Sequence, residues 1–120
     1  MKREQRLTRS GDFRRVREQT PRAWRHPLLV LYASPNQLDR TRIGITVGKR
    51  VGKAVVRNRV RRRVREAVRP HYADLLPGYD LVFLARSPSA AATWQELRTA
   101  IETLIGQAGL RAGAQGPERA

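Results

Sequence analysis

Residues 42–69 read Arg42-Ile-Gly-Ile-Thr-Val47, then Gly48-Lys-Arg-Val-Gly-Lys53, then Ala54-Val-Val-Arg57-Asn58-Arg59-Val-Arg-Arg62-Arg-Val-Arg65-Glu66-Ala-Val-Arg69. The apolar period changes from two to about 3.6 within this run, and that change decides the fold. Residues 42–47 alternate and predict a strand. Residues 54–69 predict a helix: at about 100° per residue, Val56, Val60, Val64, Ala67 and Val68 fall within one stripe about 120° wide. Asn58, Arg61, Arg62, Arg65 and Arg69 lie opposite, with Arg57 and Arg63 flanking the stripe. Pro70 stops or kinks this helix near Arg69.

Upstream, Leu28–Ala33 is a run of strand formers between Pro27 and Ser34-Pro35-Asn36, predicted to pair with 42–47 as a hairpin across residues 34–41. Residues 10–19 predict a short helix with Ser10 as N-cap, Phe13 and Val16 on one face, and Pro21 as its stop. Downstream, Asp80–Arg86 is almost wholly apolar and predicts a central strand. Asp80 itself reads as a turn residue after Pro77-Gly78. Thr93-x-x-Glu96 is a capping box opening a helix that carries Trp94, Leu97, Ile101, Leu104 and Ile105 on one face, ended by Gly106 or Gly109. The Gly/Ala-rich residues 110–120 predict a disordered tail after a single domain over 1–109. The order α-β-β-α-β-α, with room for one extra short strand, is that of a small α+β two-layer sandwich.

The chain has 120 residues, 25 Lys+Arg and 10 Asp+Glu, for a net charge of +15. Residues 1–26 hold nine cations against three anions, residues 49–69 ten against Glu66 alone, and the rest is neutral. Charge spread for solubility does not concentrate in this way. Only three of the 25 cations are lysine. A GC-rich genome accounts for that, and so does the fit of the guanidinium fork to phosphate. No apolar run approaches the ~20 residues of a membrane span, so no membrane partner is expected. Residues 1–6 precede no apolar stretch, which argues against a secretory signal, and Glu4, Asp12 and Glu18 argue against an organellar transit peptide. The absence of cysteine removes thiol nucleophiles, disulfides and cysteine-held zinc, and is compatible with the cytoplasm.

No constellation for a self-sufficient enzyme emerges. His26 and His71 are isolated and read as surface residues, and the carboxylates are scattered singly, so neither a catalytic side chain nor a metal ligand set is expected. Gly44-Ile-Thr-Val-Gly48-Lys49-Arg50 is too short between its glycines for a P-loop and has Arg50 where Ser or Thr belongs. No small-molecule substrate is indicated. What stands out is a helix start ringed by Lys49, Arg50 and Lys53, where free N–H groups attract anions. Beyond it, one helix face has too few carboxylates to be an ordinary solvated surface. Polyanion binding accounts for both. The paired helices of a helix-turn-helix are missing, which disfavours duplex DNA reading. An RNA binder combines phosphate contacts with stacking surfaces. Of the seven aromatics, Phe83 and Trp94 read as core, while Phe13 and Tyr32 read equally as core or stacking groups.

The run from Gly44 to Glu66, with Arg57-Asn58-Arg59 following a strand and a basic GxxxGxA connector, resembles the signature of the bacterial ribonuclease P protein subunit. Arg6-Leu7 and Asp12-Phe13 resemble the family's opening, and Tyr79–Arg86 its last strand, so the resemblance covers about residues 2–108. It implies a ribonucleoprotein endoribonuclease that removes the 5′ leader from precursor tRNA, with catalysis and Mg²⁺ in the RNA subunit rather than in protein side chains. It also implies a left-handed βαβ crossover, against the general right-handed rule. On this resemblance, Lys49, Arg50, Lys53, Arg57, Asn58, Arg59, Arg62 and Arg65 contact the RNA subunit, joined by Arg61 and Arg69 from the same basic face. Phe13, Arg17 and Tyr32 contact the leader in a cleft beside helix 10–19. Arg17 stands where the family commonly has a second aromatic, Gly48 where serine is frequent, Lys53 where asparagine is common, and Pro70 is atypical. A ribosomal or other structural RNA-binding protein, without attached catalysis, is the alternative.

Overall fold

The computed structural model describes residues 1–19 and 23–117. Helix α1 (Ser10–Gln19) is followed by strands β1 (Ala23–Arg25), β2 (Leu29–Pro35) and β3 (Arg42–Val47). Helix α2 (Ala54–Val68), strand β4 (Tyr79–Ala85) and helix α3 (Trp94–Gln107) complete the chain. The short β1 fills the place left for an extra strand. Ser10 lies inside α1, whose first bonds run from the Asp12 and Phe13 N–H groups to the Arg9 carbonyl. The expected stop at Pro21 lies outside the described residues.

The sheet order is β1-β2-β4-β3, with β4 antiparallel to β2 and parallel to β3. The expected hairpin between 28–33 and 42–47 is therefore corrected: β2 and β3 do not pair. The apolar β4, with Leu81, Val82 and Phe83 fully buried, needs neighbours on both edges and lies between them. The register sets Ser34, Asp80 and Arg42 in one row, and Tyr32, Val82 and Gly44 two rows on, on the same face. With β2 and β3 paired directly, Asp80 would not stand between Ser34 and Arg42.

Helices α2 and α3 cover the sheet face that carries Leu29, Leu31, Leu81 and Phe83. The predicted stripe is the buried one: Val60, Val64, Ala67 and Val68 face inward and Val56 is half-buried. Each such valine removed from water stabilises the fold by about 1.5–3 kcal/mol. Pro70 ends α2, and the chain continues as a 3-10 turn from Arg69 to Asp74. The Thr93 hydroxyl accepts from the Glu96 N–H at 3.1 Å and the Glu96 carboxylate accepts from the Thr93 N–H at 2.8 Å, so the capping box forms as predicted. The bond from the Thr93 N–H, helped by the Thr93 side chain, holds the Glu96 carboxyl below its ordinary value. Trp94, expected in the core, is 40% exposed: it occupies the first turn of α3, and the buried stripe begins at Leu97.

The predicted tail also starts too early. The Gly109 N–H bonds to the Gly106 carbonyl and the Leu110 N–H to that of Ile105, a Schellman closure of α3. Leu110 is fully buried, and its carbonyl accepts from the Leu76 N–H at 2.8 Å. Arg111 bridges Leu75, and the Ala112 N–H reaches the Asp74 carbonyl. An apolar side chain just past the helix end gives these residues something to bury, which Gly/Ala composition conceals.

On the opposite sheet face α1 packs through a smaller cluster of Leu7, Val16 and Val82, with Phe13 and Tyr32 at its margin. No helix among the described residues is long and apolar enough to cross a membrane.

Candidate nucleic-acid interface

The connector between β3 and α2 is built around Gly52, whose φ of 154° disfavours any other residue. A Cβ there would meet Val56 at 3.0 Å. Buried Val51 anchors the connector while Lys49, Arg50 and Lys53 stay exposed. Lys53 forms the N-cap of α2 without a side-chain cap, and no acidic residue stands in the first turn. The helix start therefore presents uncapped N–H groups amid three cations.

Along α2 the predicted contacts divide by what else they do. The Arg57 Nε–H donates to the Gly52 carbonyl at 3.1 Å, bracing the connector. Arg59 donates to the Ala90 carbonyl and Arg63 to that of Ala92, tying α2 to the turn before α3. Arg61 donates to the Asn58 Oδ1 at 2.8 Å. Arg69 pairs with Glu66 at 3.4 Å, the single ion pair of α2 among the described residues. Arg62 is exposed, and no ion pair joins it to Glu66. The Nε of Arg65 is buried and lacks a hydrogen-bond partner among the described residues. A buried charged donor left without an acceptor is costly, and a phosphate oxygen is one group that supplies the acceptor.

Phe13 and Arg17, one turn apart on α1, and Tyr32 of β2 line one cleft of about 730 Å³. Phe13 reaches this position because Gly44 has no side chain: a Cβ on Gly44 would stand 2.5 Å from the Phe13 ring. Both aromatics are half-buried, so they serve at once as margin of the small core and as wall of the cleft. Arg14 and Thr46, unmarked in the sequence, line it too, and Arg61 reaches it from α2. The cleft and the α2 face thus meet at Arg61. A smaller space of about 210 Å³ beside it is bordered by Arg6, Arg61 and Arg65. Finding these groups requires the β3–β4 register, which no local pattern encodes.

Asp80, read as a turn residue, is instead fully buried. Burial pushes its carboxyl up, but hydrogen bonds from Arg42, Asn36 and Arg15, with the charge of Arg42, hold it below the usual carboxylate range. The same bond to Asp80 raises the pKa of Arg42 against the opposing effect of burial. His26 and His71 are half-buried rather than fully on the surface. His26 accepts the Leu28 N–H at Nδ1 (3.1 Å), and His71 lies 3.9 Å from Glu102. No three His, Cys, Asp or Glu side chains converge as a metal set among the described residues.

Chemically, the arrangement offers an open cationic face and a concave aromatic and cationic groove. The Ribonuclease P family model matches residues 1–109. The chain is 44% identical over 110 residues to a ribonuclease P protein component of Herpetosiphon aurantiacus, covering 92% of this chain and 89% of the relative. It is 46% identical over 115 residues to that of Roseiflexus castenholzii, covering 95% and 93%. Its fold superimposes on the Staphylococcus aureus RNase P protein with a TM-score of 0.81 at 28% identity, covering 89% of this chain and 97% of that one. For the Thermotoga maritima RNase P protein the TM-score is 0.76 at 25% identity, covering 85% and 96%. Family model, relatives and solved structures agree over nearly the whole chain, which belongs to the ribonuclease P protein family.

Proposed function

We propose that this chain acts in the cytoplasm as the protein component of ribonuclease P, assembling with a catalytic RNA that removes the 5′ leader of precursor tRNA. The observation that carries the reading is the joining, at Arg61, of an open arginine face to a cleft walled by Phe13, Tyr32 and Arg17. The open face suits the phosphate backbone of a folded RNA: Lys49, Arg50 and Lys53 add full charges beside the bare start of α2, and Arg62 and Arg65 continue them along the helix. The cleft suits a single strand, because unpaired bases stack on aromatic rings while guanidinium groups hold the phosphates between them. Cleavage and its Mg²⁺ ions belong to the RNA subunit in this reading, and the protein's part is to bind, orient and raise affinity for the leader-bearing substrate.

Reconstitution with the cognate RNA at low Mg²⁺ tests this. Added protein raises the rate of precursor cleavage, and raises it more for substrates whose leader is several nucleotides long. No effect on the RNA enzyme overturns the reading. Co-sedimentation with ribosomal subunits, with precursor cleavage unchanged, would place the chain among structural RNA-binding proteins.

A further inference from the structure

We propose that Asp80 is a positioning residue for the cleft, its buried carboxylate joining α1 to the sheet and setting where the α1 side chains stand over β3. The carboxylate accepts two bonds from Arg42, at 2.8 and 2.7 Å, and one from the Asn36 amide at 2.9 Å. Arg15 of α1 supplies a further bond and a second charge. Groups from α1, β3 and the loop after β2 thus converge on one residue of β4. The Asp80 side chain is wholly inaccessible, whereas those of Arg15 and Arg42 remain 31% and 23% exposed.

Helix α1 needs such a tie. Its only fully buried residue is Val16. A contact through so few apolar groups sets how closely the helix approaches the sheet, but it leaves rotation and sliding weakly determined, because apolar packing is not directional. The Arg15 guanidinium, held at a fixed carboxylate, supplies direction. Phe13 provides a second point by lying over Gly44, two residues along β3 from Arg42. Pinned at both points, α1 presents Arg14 and Arg17 to the cleft in one orientation. The functional half of this proposal rests on the reading of the cleft as a leader site.

The test uses Asp80→Asn, which keeps the shape and removes the charge, and Arg15→Gln, which leaves Asp80 its bonds to Arg42 and Asn36. In the full-length protein, amide hydrogen exchange of residues 10–19 rises about ten-fold or more in both variants, and rises by more than that of α2 and α3. In the holoenzyme, KM for leader-bearing precursor rises about ten-fold relative to leaderless substrate, with kcat and RNA-subunit affinity unchanged. Arg15→Lys restores part of both effects. Unchanged exchange in α1 overturns the clamp. Faster exchange with unchanged leader dependence overturns its positioning role. Should the wild-type holoenzyme show no leader dependence, the leader reading falls while the exchange arm still decides the clamp.

Discussion

The two cationic regions of this molecule hold similar numbers of cations, ten in residues 49–69 and nine in residues 1–26, and use them differently. Along the convex surface of α2, Arg59 and Arg62 are exposed and Arg57, Arg61, Arg63 and Arg65 half-buried, and the internal bonds of Arg57, Arg59 and Arg63 go to backbone carbonyls, which leaves their charge unneutralised. On α1 the charge is divided. Arg15 is paired with the buried Asp80, which it shares with Arg42, and lies 4.0 Å from Asp12, while Arg14 and Arg17 line a groove that also holds two aromatic rings. A convex cationic face fits an RNA whose backbone is already folded, and a concave one with aromatics fits a strand whose bases are free. The difference between them lies in what stands beside the cations, not in their number.

The largest effect expected is on the convex region. Replacing Arg62 and Arg65 together by Ala should weaken binding of the RNA subunit by roughly 100-fold, taking about 1.5 kcal/mol for each charge-assisted bond. The slope of log K against log salt should flatten by about 1.4–1.8. Leader discrimination should survive, and its loss in this variant would erase the distinction between the regions.

Next is the group that belongs to the α1 region alone. Asp80→Asn should cost about 1.5–3 kcal/mol of stability at neutral pH. The native carboxyl is held below its unfolded value. Its contribution is therefore complete above the ordinary carboxylate range and is lost as pH falls through the native pKa. Thermal melts should show the wild type and Asp80→Asn converging in acid. A gap that persists in acid would mean the carboxylate charge is not what ties α1 down.

The smallest effect sharpens the comparison most narrowly. Phe13→Leu keeps an apolar side chain over Gly44 but removes the ring. It should weaken leader-bearing precursor by roughly ten-fold, the scale of one base stack, and leave RNA-subunit affinity as it was. Equilibrium binding with leader-bearing and leaderless substrates measures both.

The α2 stripe, the stop at Pro70 and the Thr93–Glu96 box were legible because each is written within a few neighbouring residues. Partner choice between strands was not: residues 28–33 and 42–47 look like a hairpin until β4, some 32 residues further on, takes the place between them. Asp80 was missed for the same reason, since its partners Arg15, Asn36 and Arg42 come from across the sheet. Trp94 has the angular position of a core residue but stands in the first turn of its helix. Leu110 was hidden by a tail-like composition. Of the candidate site, the cations of α2 were readable from periodicity. Phe13, Arg17 and Tyr32 came from resemblance, and only the tertiary structure added Arg14, Thr46 and the double position of Arg61.

The division of labour can be tested by photo-crosslinking in the assembled ternary complex, with a crosslinker placed in turn at positions 17 and 62. Position 17 should label the precursor leader and position 62 the RNA subunit. Exchange of those targets, or labelling of the RNA subunit alone from both positions, would contradict the assignment of the two cationic regions.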